Sequence, residues 1–159
     1  MSIDRKKVLD VLNGGPISEA TATTLTANDS GSVFFVNADT AAAAYVLPAP
    51  QAGLRFMWVW TADCDNAITI TTADTTDTSG DMFLGGVIYC AAADLNTFVE
   101  VAADNNRMTF DDNVANTGGG AGQWIEVICT EDAAWFVRGV VNGTSDADGT
   151  GTAIFSDVD

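Results

Sequence analysis

The sequence predicts an all-β fold, namely an antiparallel β-sandwich or jelly roll of about eight to eleven strands with a short N-terminal helix. Between Leu25 and Trp60, turn-forming residues recur roughly every 8 to 15 positions, which is typical of short strands. The runs between those turns are rich in β-branched and aromatic residues, and such side chains favour a pleated, half-buried surface. The acidic residues comprise 18 Asp and 4 Glu, and Asp favours turns whereas Glu favours helices.

Residues 2–13 have the one good helical pattern in the chain. Ser2 can cap the helix, and Asn13-Gly14-Gly15-Pro16 supplies a stop signal. A broad apolar stripe is formed by Ile3, Val8, Leu9, Val11 and Leu12. A helix of about twelve residues is marginal in isolation, so the stripe needs a surface on which to dock. That surface is either the chain's own β domain or a neighbouring subunit.

From residue 17 onward, alternation and turn signals predict a series of strands. They lie near residues 20–26, 32–37, 43–47, 53–61, 66–72, 82–91, 97–103, 107–110, 123–130, 133–141 and 152–156. The clearest alternation runs from Leu54 to Thr61, and there both faces are largely apolar. A strand that is apolar on both faces is central in a sheet or is buried at an interface. Glu131-Asp132 is predicted to be a two-residue turn that joins the strands on either side into a hairpin.

Three stretches rich in Thr, Asp, Ser or Gly are predicted to be exposed loops, namely residues 71–80, 113–122 and 142–151. The last is interpreted as a flexible link to a short apolar strand. That strand can fold back onto its own chain or pair with the sheet edge of a neighbouring chain. The predicted organisation is therefore a helical arm at residues 1–14, a β-sandwich domain at residues 15–141 and a flexible tail at residues 142–159.

The chain has a net charge of −16 and no histidine. Arg5, Lys6 and Lys7 are three of its six basic residues, so the remainder of the chain is strongly acidic. Such a surface repels phosphate groups, and nucleic acid is therefore not an expected partner. A membrane span is not expected either, because the longest apolar runs fall far short of the roughly 20 residues that a transmembrane helix needs. An acidic surface with few lysines also suits a saline environment.

Cys64, Cys90 and Cys129 are odd in number, widely spaced and without a CxxC pair. They are interpreted as buried free thiols, and the alternatives are one disulfide plus a spare thiol or an intermolecular bridge. Charged residues occupy the N-terminus, where a secretory signal needs a long apolar stretch. Synthesis and folding in a cytoplasm are therefore expected.

The lack of histidine excludes Ser-His-Asp and Cys-His nucleophiles, histidine-ligated zinc and histidine acid-base catalysis. A two-carboxylate glycosidase stays open, since 22 acidic residues offer many pairs. Those acids lie mostly in predicted turns, however, so the sequence predicts no catalytic residue and no cofactor. The four tryptophans are interpreted as core residues rather than as platforms for a sugar, namely Trp58, Trp60, Trp124 and Trp135.

Two motifs match ligand-binding loops only in part. The run from Gly118 to Gly122 lacks the GK[ST] ending of a phosphate-binding loop and precedes a strand, so it is interpreted as a flexible loop. Asp146-Ala147-Asp148-Gly149 matches the opening of a calcium loop, yet the bidentate Glu that should follow is missing. Asp111-Asp112 is no better a candidate for binding calcium. No metal site is expected.

Several turn and strand motifs follow one another between residues 20 and 90. They are Leu25-Thr26, Asp29-Ser30-Gly31, the strand Val33-Phe34-Phe35-Val36-Asn37, Tyr45-Val46-Leu47-Pro48, Pro50, Gly53-Leu54, Phe56 and Ile68-Thr69-Ile70. In this order the stretch resembles small β-sandwich virion proteins of tailed phages, in particular capsid decoration or cement proteins and related tail-fibre modules.

The resemblance implies a structural role on a virus particle, commonly as a trimer. The expected partners are further copies of the chain and the major capsid protein of the same virus. The expected location is the capsid surface, after synthesis in the host cytoplasm. Two alternatives stay open, namely a glycan-binding module of a tail fibre or receptor-binding protein, and a lytic carbohydrase.

Overall fold

The computed structural model describes residues 23–36, 42–73, 82–91, 96–130, 134–143 and 153–158. These ranges contain eleven β-strands and one turn of 3-10 helix at Ala27–Asp29. The strands are β1 Thr23–Thr24, β2 Val33–Val36, β3 Ala43–Val46, β4 Arg55–Trp60, β5 Ile68–Thr71, β6 Phe83–Ala91, β7 Asn96–Glu100, β8 Arg107–Phe110, β9 Trp124–Cys129, β10 Trp135–Gly143 and β11 Phe155–Ser156. The all-β prediction is confirmed, and each strand overlaps a predicted one.

The predicted helix at residues 2–13 lies outside the described ranges. Within them, no helix is long and apolar enough to cross a membrane. The calcium-like motif at residues 146–149 also lies outside the described part of the chain.

The strands form two sheets. The first has five strands in the order β1-β3-β5-β8-β11, and the second has six in the order β2-β4-β9-β10-β6-β7. In the first sheet, β1, β3 and β5 are parallel, and β8 and β11 continue the sheet in antiparallel pairs. In the second sheet, β2 is parallel to β4 and β6 is parallel to β10, whereas the other pairs are antiparallel.

The prediction of purely antiparallel pairing is wrong, because four of the nine strand pairs in the described residues are parallel. Three of them follow from the route of the chain between β1 and β5. These strands alternate between the two sheets, so each turn takes the chain from one sheet to the other. Two such reversals return the chain to its first sheet in its original direction, and the next strand pairs in parallel. Turn residues indicate where a chain reverses, but not which sheet receives the next strand.

The two sheets share one hydrophobic core among the described residues, built by alternate residues of the strands. Aromatic rings join the sheets across it. Between ring centroids, Phe34 of β2 lies 5.5 Å from Tyr45 of β3, and Trp60 of β4 lies 5.0 Å from Phe110 of β8. Such ring pairs add to the stabilisation that apolar burial provides. Three tryptophans are fully buried in this core, as the sequence indicated, namely Trp58, Trp60 and Trp135.

Strands β9 and β10 form the predicted antiparallel hairpin, but its turn is longer than predicted. The amide of Thr130 donates to the carbonyl of Ala134 at 2.8 Å, which leaves residues 131–133 as the connection. A two-residue turn would pair Trp135 with Ile128 and direct the indole to the opposite face, because a shift of one residue reverses every side chain. The longer connection keeps Trp135 in the core.

The C-terminal strand folds back onto its own chain. Phe155 of β11 pairs with Met108 of β8, at the edge of the five-stranded sheet. Of the two alternatives for this strand, the structure shows the intramolecular one. The preceding strand, β10, continues to Gly143, two residues past the predicted end of the β domain.

Candidate interaction surface

The six-stranded sheet has one face in the core and one face directed away from it. Register pairs link one apolar residue from each strand on the second face. Residues paired across a ladder point to the same side of a sheet, so all six lie on this face. From one edge of the sheet to the other, they are Phe35, Val59, Trp124, Val140, Ile88 and Phe98. We call this surface the outer face and these six residues the apolar row.

Four large apolar side chains of the outer face are strongly exposed. Phe98 is 64% exposed, and the values for Leu84, Ile88 and Phe136 lie between 41% and 48%. In the described part of the chain, the only other large apolar residue of this kind is Val114, in a loop. Single exposed apolar residues are ordinary, whereas a contiguous exposed patch indicates an interaction site. The outer face is such a patch.

The middle of the outer face holds a buried carboxylate. Glu126 of β9 is 2% exposed and lies between Arg55 of β4 and Arg138 of β10, whose side chains are each 56% exposed. The Nε of Arg138 donates a hydrogen bond to Oε2 of Glu126. Arg55 forms an ion pair with Oε1, which accepts no hydrogen bond. A buried charge is tolerated when it is paired, so the two arginines allow Glu126 to lie inside an apolar face.

Phe98, at one end of the apolar row, lies over a glycine of the neighbouring strand. A Cβ atom built on Gly86 would lie 2.7 Å from Cζ of Phe98 and 2.4 Å from the carbonyl oxygen of Val99. No side chain fits at Gly86, and this allows the Phe98 ring to lie close to the sheet. The ring thereby extends the apolar row to the edge strand β7.

The sequence pattern of β4 explains why this strand is apolar on both sides. Phe56, Trp58 and Trp60 are buried in the core, while Met57 and Val59 are half-buried on the outer face. The prediction that this strand is apolar on both faces is confirmed. The strand lies between β2 and β9 rather than at an edge.

Trp124 is the tryptophan whose assignment to the core is wrong. It is half-buried on the outer face, where it pairs with Val59 on one side and Val140 on the other. Its position follows from strand alternation, because Ile125 occupies the core side of β9. Tyr45 and Tyr89, the two tyrosines of the chain, are buried.

No disulfide joins the three cysteines within the chain. The prediction of buried free thiols is confirmed for Cys64 and Cys129, and the burial is wrong for Cys90. Cys64 and Cys129 are buried, whereas Cys90 is half-buried on β6. Burial raises the pKa of Cys64 to about 11, and a backbone hydrogen bond from Asp112 opposes that increase in part. Cys90 pairs with Asn96 of β7 and Asn142 of β10, which places it on the outer face beyond the apolar row.

The predicted exposed loop at residues 113–122 is exposed at residues 113–115 and 121–122, but it is wrong for Thr117 to Gly120, which are buried. Its amides are used within the chain. The amide of Gly119 donates to Oε1 of Gln123 at 2.8 Å, and the amide of Ala121 donates to Oδ1 of Asp63 at 2.7 Å. The amide of Gly120 donates to a backbone carbonyl. These donors are therefore engaged in holding the loop against the protein rather than directed at a phosphate.

The acidic residues near this loop have structural partners. Oδ1 of Asp111 accepts a hydrogen bond from the amide of Asn113 at 3.0 Å, as expected for Asp in a turn. Within the described ranges, no group of three or more His, Cys, Asp or Glu side chains is placed to hold a metal ion.

No protein-family model matches this chain, and neither the curated proteins nor the solved structures provide a match. The outer face is therefore the feature of the molecule from which a function can be inferred.

Proposed function

We propose that this chain is a structural protein of a tailed-phage particle, which attaches to the capsid as a homo-oligomer and stabilises the shell by bridging its subunits. The observation that favours this proposal is the apolar row across all six strands of one sheet. A soluble chain that keeps such a face exposed loses the hydrophobic stabilisation that a partner surface would provide. The sequence motifs between residues 20 and 90 point to the same class of protein.

The size of the outer face supports a role in assembly. Six strands at a spacing of about 4.8 Å span roughly 24 Å from the first strand to the last. Specific interfaces bury on the order of 800 Å² from each partner. The six strands of this sheet are four to nine residues long. A face of this width and length can supply an interface area of that order.

We further propose that the two sheets form a β-sandwich. The shared core and the ring contacts between sheets support this arrangement. A jelly roll is built from antiparallel strands, so the four parallel pairs favour a sandwich of another topology. The resemblance implies three subunits, a location on the capsid surface, and the major capsid protein as partner. No catalytic residue, metal or cofactor is proposed.

The experiment that tests this function is cryo-electron microscopy of the parent particle, in which the eleven-strand fold is fitted into the density map. We expect density for the chain on the outer surface of the head. As a biochemical counterpart, purified protein should co-sediment with heads from which it has been stripped, and it should raise the temperature at which those heads rupture. The proposal would be contradicted if the chain were absent from the particle. It would also be contradicted if heads fully occupied by the protein ruptured at the same temperature as stripped heads.

The alternative is a glycan-binding module of a tail fibre. Trp124 and Phe98 are the observations that favour it, because both lie on the outer face with part of the ring accessible. Against it, three tryptophans and both tyrosines are buried, and sugars stack best on exposed Trp or Tyr. Density on the tail together with binding to a defined glycan on an array would establish this alternative in place of the first.

A further inference from the structure

The two arginines beside Glu126 both use their Nε nitrogen to pair with it. Arg55 lies on β4 and Arg138 on β10, the strands on either side of β9. Each Nε contacts a different oxygen of the one carboxylate. Within the described ranges, neither guanidinium donates a hydrogen bond from its two terminal Nη atoms. Four N–H donors on each arginine are therefore directed to solvent.

The buried carboxylate orients both guanidinium groups in advance. A guanidinium is planar and rigid, so a group bound at Nε leaves the pair of Nη atoms at its end available for a second anion. Because Arg55 and Arg138 contact the same carboxylate, their guanidinium groups lie close enough together to share that anion. Binding then requires less ordering of two long side chains than it would for free arginines.

Apolar side chains border the arginine pair. Phe136 and Val140 lie two residues before and after Arg138 on β10, and Met57 lies two residues after Arg55 on β4, so all of them share the outer face. A partner that covers these apolar residues also removes water from the two guanidinium groups. A charged group that loses water without gaining a partner is costly. Whatever covers the outer face must therefore supply an anionic acceptor at this point.

We infer that the outer face binds a segment of a partner protein in which an Asp or Glu carboxylate is flanked by apolar side chains. That carboxylate accepts hydrogen bonds from the Nη atoms of Arg55 and Arg138, which lie between it and Glu126. The flanking side chains pack on the apolar row. This inference rests on the proposed function, because it specifies the chemistry of the surface that the chain contacts on the capsid.

The pairing acts at contact distance, because the strands of the six-stranded sheet carry no net charge. Their charged residues are Arg55, Arg138, Glu126 and Glu100. Glu100 lies on the edge strand β7, and β6 separates it from β10, so it is about two strand spacings, or roughly 10 Å, from Arg138. Within the described ranges it forms no ion pair with either arginine. Glu100 therefore does not occupy the site, but it does cancel long-range attraction, and added salt should affect this contact little.

Arg55→Gln tests the site with little disturbance, because Arg138 still pairs with Glu126. In co-sedimentation of the full chain with stripped heads, we expect the dissociation constant to rise at least about tenfold, as for the loss of a charge-assisted hydrogen bond. The increase should persist from about 0.05 M to about 0.5 M NaCl. The matched control is Arg107→Gln, which removes the same charge from β8 of the other sheet and should leave binding within about twofold of the wild type.

Near-ultraviolet circular dichroism checks that each variant is folded. Arg55→Lys keeps the charge but lacks the planar pair of donors, so it should weaken binding severalfold, and it replaces Arg55→Gln if the latter does not fold. If wild-type protein binds heads and a folded Arg55 variant binds them equally well, the inference is wrong and the proposed function stands. Equal weakening by Arg107→Gln would reveal a general charge effect and would also overturn the inference.

A second measurement does not depend on the capsid. The Nε–H signals of Arg55, Arg107 and Arg138 are followed by nitrogen–proton correlation NMR of the full chain. The probe is the peptide acetyl-Leu-Glu-Leu-amide, added to about 10 mM because a single small contact binds weakly. We expect saturable shifts for Arg55 and Arg138, no shift for Arg107, and no shift with a peptide that has Gln in place of Glu.

No shift with the Glu peptide, or equal shifts with the Gln peptide, would overturn the inference. Shifts with glucuronic acid but not with the Glu peptide would show that the site binds an acidic sugar, and this would also overturn the assignment to a protein partner. If the Glu peptide binds as expected while the wild-type protein never attaches to heads, the site stands and the proposed function fails.

Discussion

Arg138 lies directly opposite Glu126 in the β9/β10 ladder and donates its Nε hydrogen to Oε2 of a carboxylate that is almost fully buried. Arg55 approaches Oε1 of the same carboxylate from β4 without making a hydrogen bond. The two arginine side chains are equally exposed. The two arginines therefore differ in how they pair with the buried charge and not in their solvent exposure.

We expect Arg138→Ala to lower the free energy of unfolding more than Arg55→Ala does. Loss of Arg138 removes a charge-assisted hydrogen bond and leaves Oε2 of Glu126 buried without a donor, at a cost of about 2 kcal/mol. Loss of Arg55 breaks no hydrogen bond and leaves Glu126 paired with Arg138, so it should cost less than the loss of Arg138. Urea unfolding monitored by tryptophan fluorescence measures both. Equal losses, or a larger loss for Arg55→Ala, would contradict this account of the pair.

A second prediction concerns the glycine-rich segment. Gly119 has a φ angle of +114°, and a Cβ atom there would lie 2.6 Å from Sγ of Cys64. Gly122 has a φ angle of +85°, but nothing lies within 4 Å of its Cβ position. Gly122→Ala should therefore cost only the backbone strain of a left-handed residue, about 1 to 2 kcal/mol, whereas Gly119→Ala adds overpacking of about 1 to 3 kcal/mol. The difference between the two urea midpoints is the measurement, and equal midpoints would refute the close packing.

The positions of the strands could be predicted from the sequence, because alternation and turn residues are local signals. Sheet membership could not, since strands of both sheets share the same alternating pattern. The register of the β9/β10 hairpin also escaped prediction. Glu131-Asp132 matches a two-residue turn, but the burial of Trp135 requires three residues between the strands. That one-residue difference is what brings Arg138 opposite Glu126, so the charged pair could not be foreseen from the predicted turn.

The outer face was predictable in part. The segment Leu54 to Thr61 is apolar on both sides, and this indicated a surface beyond the core. The continuous row depends on partners such as Phe35 and Phe98, which are far apart in sequence and meet only through sheet order. The buried glycine segment was missed because glycine has no side chain to indicate burial. The one available signal of this burial was the polar residue Gln123, which directly precedes an apolar strand.

A third prediction concerns alkaline pH. Burial raises the pKa of the Cys64 thiol from its ordinary value of 9.0 to about 11. Below pH 9 the thiol is protonated in both the folded and the unfolded state, so its contribution to stability is fully present. Between pH 9 and pH 11 the unfolded state ionises while the folded state retains its proton, and stability is lost as the pH rises. Unfolding free energies at pH 8, 9, 10 and 11 should fall more steeply for the wild type than for Cys64→Ala. If the unfolding free energies of the two proteins fell in parallel with pH, the buried thiol would not be the source of the lost stability.

The last prediction concerns residues 1–14, which lie outside the described ranges. This segment combines an apolar stripe with Arg5, Lys6 and Lys7, on a chain whose net charge is −16. An acidic neighbouring surface would attract it, and burial of about 300 Å² of apolar area at about 25 cal/mol per Å² would contribute several kcal/mol before ordering costs.

Deletion of residues 1–14 should therefore leave a folded β domain with an unchanged urea midpoint and a weakened attachment to capsids. Replacement of Arg5, Lys6 and Lys7 by Gln retains the apolar stripe, so it should weaken attachment mainly at low salt, where electrostatic attraction is unscreened. Co-sedimentation with stripped heads at two salt concentrations measures both effects. A large drop in the urea midpoint on deletion would show instead that the segment packs on its own domain. Normal attachment of the truncated protein would show that the segment has no part in binding the shell.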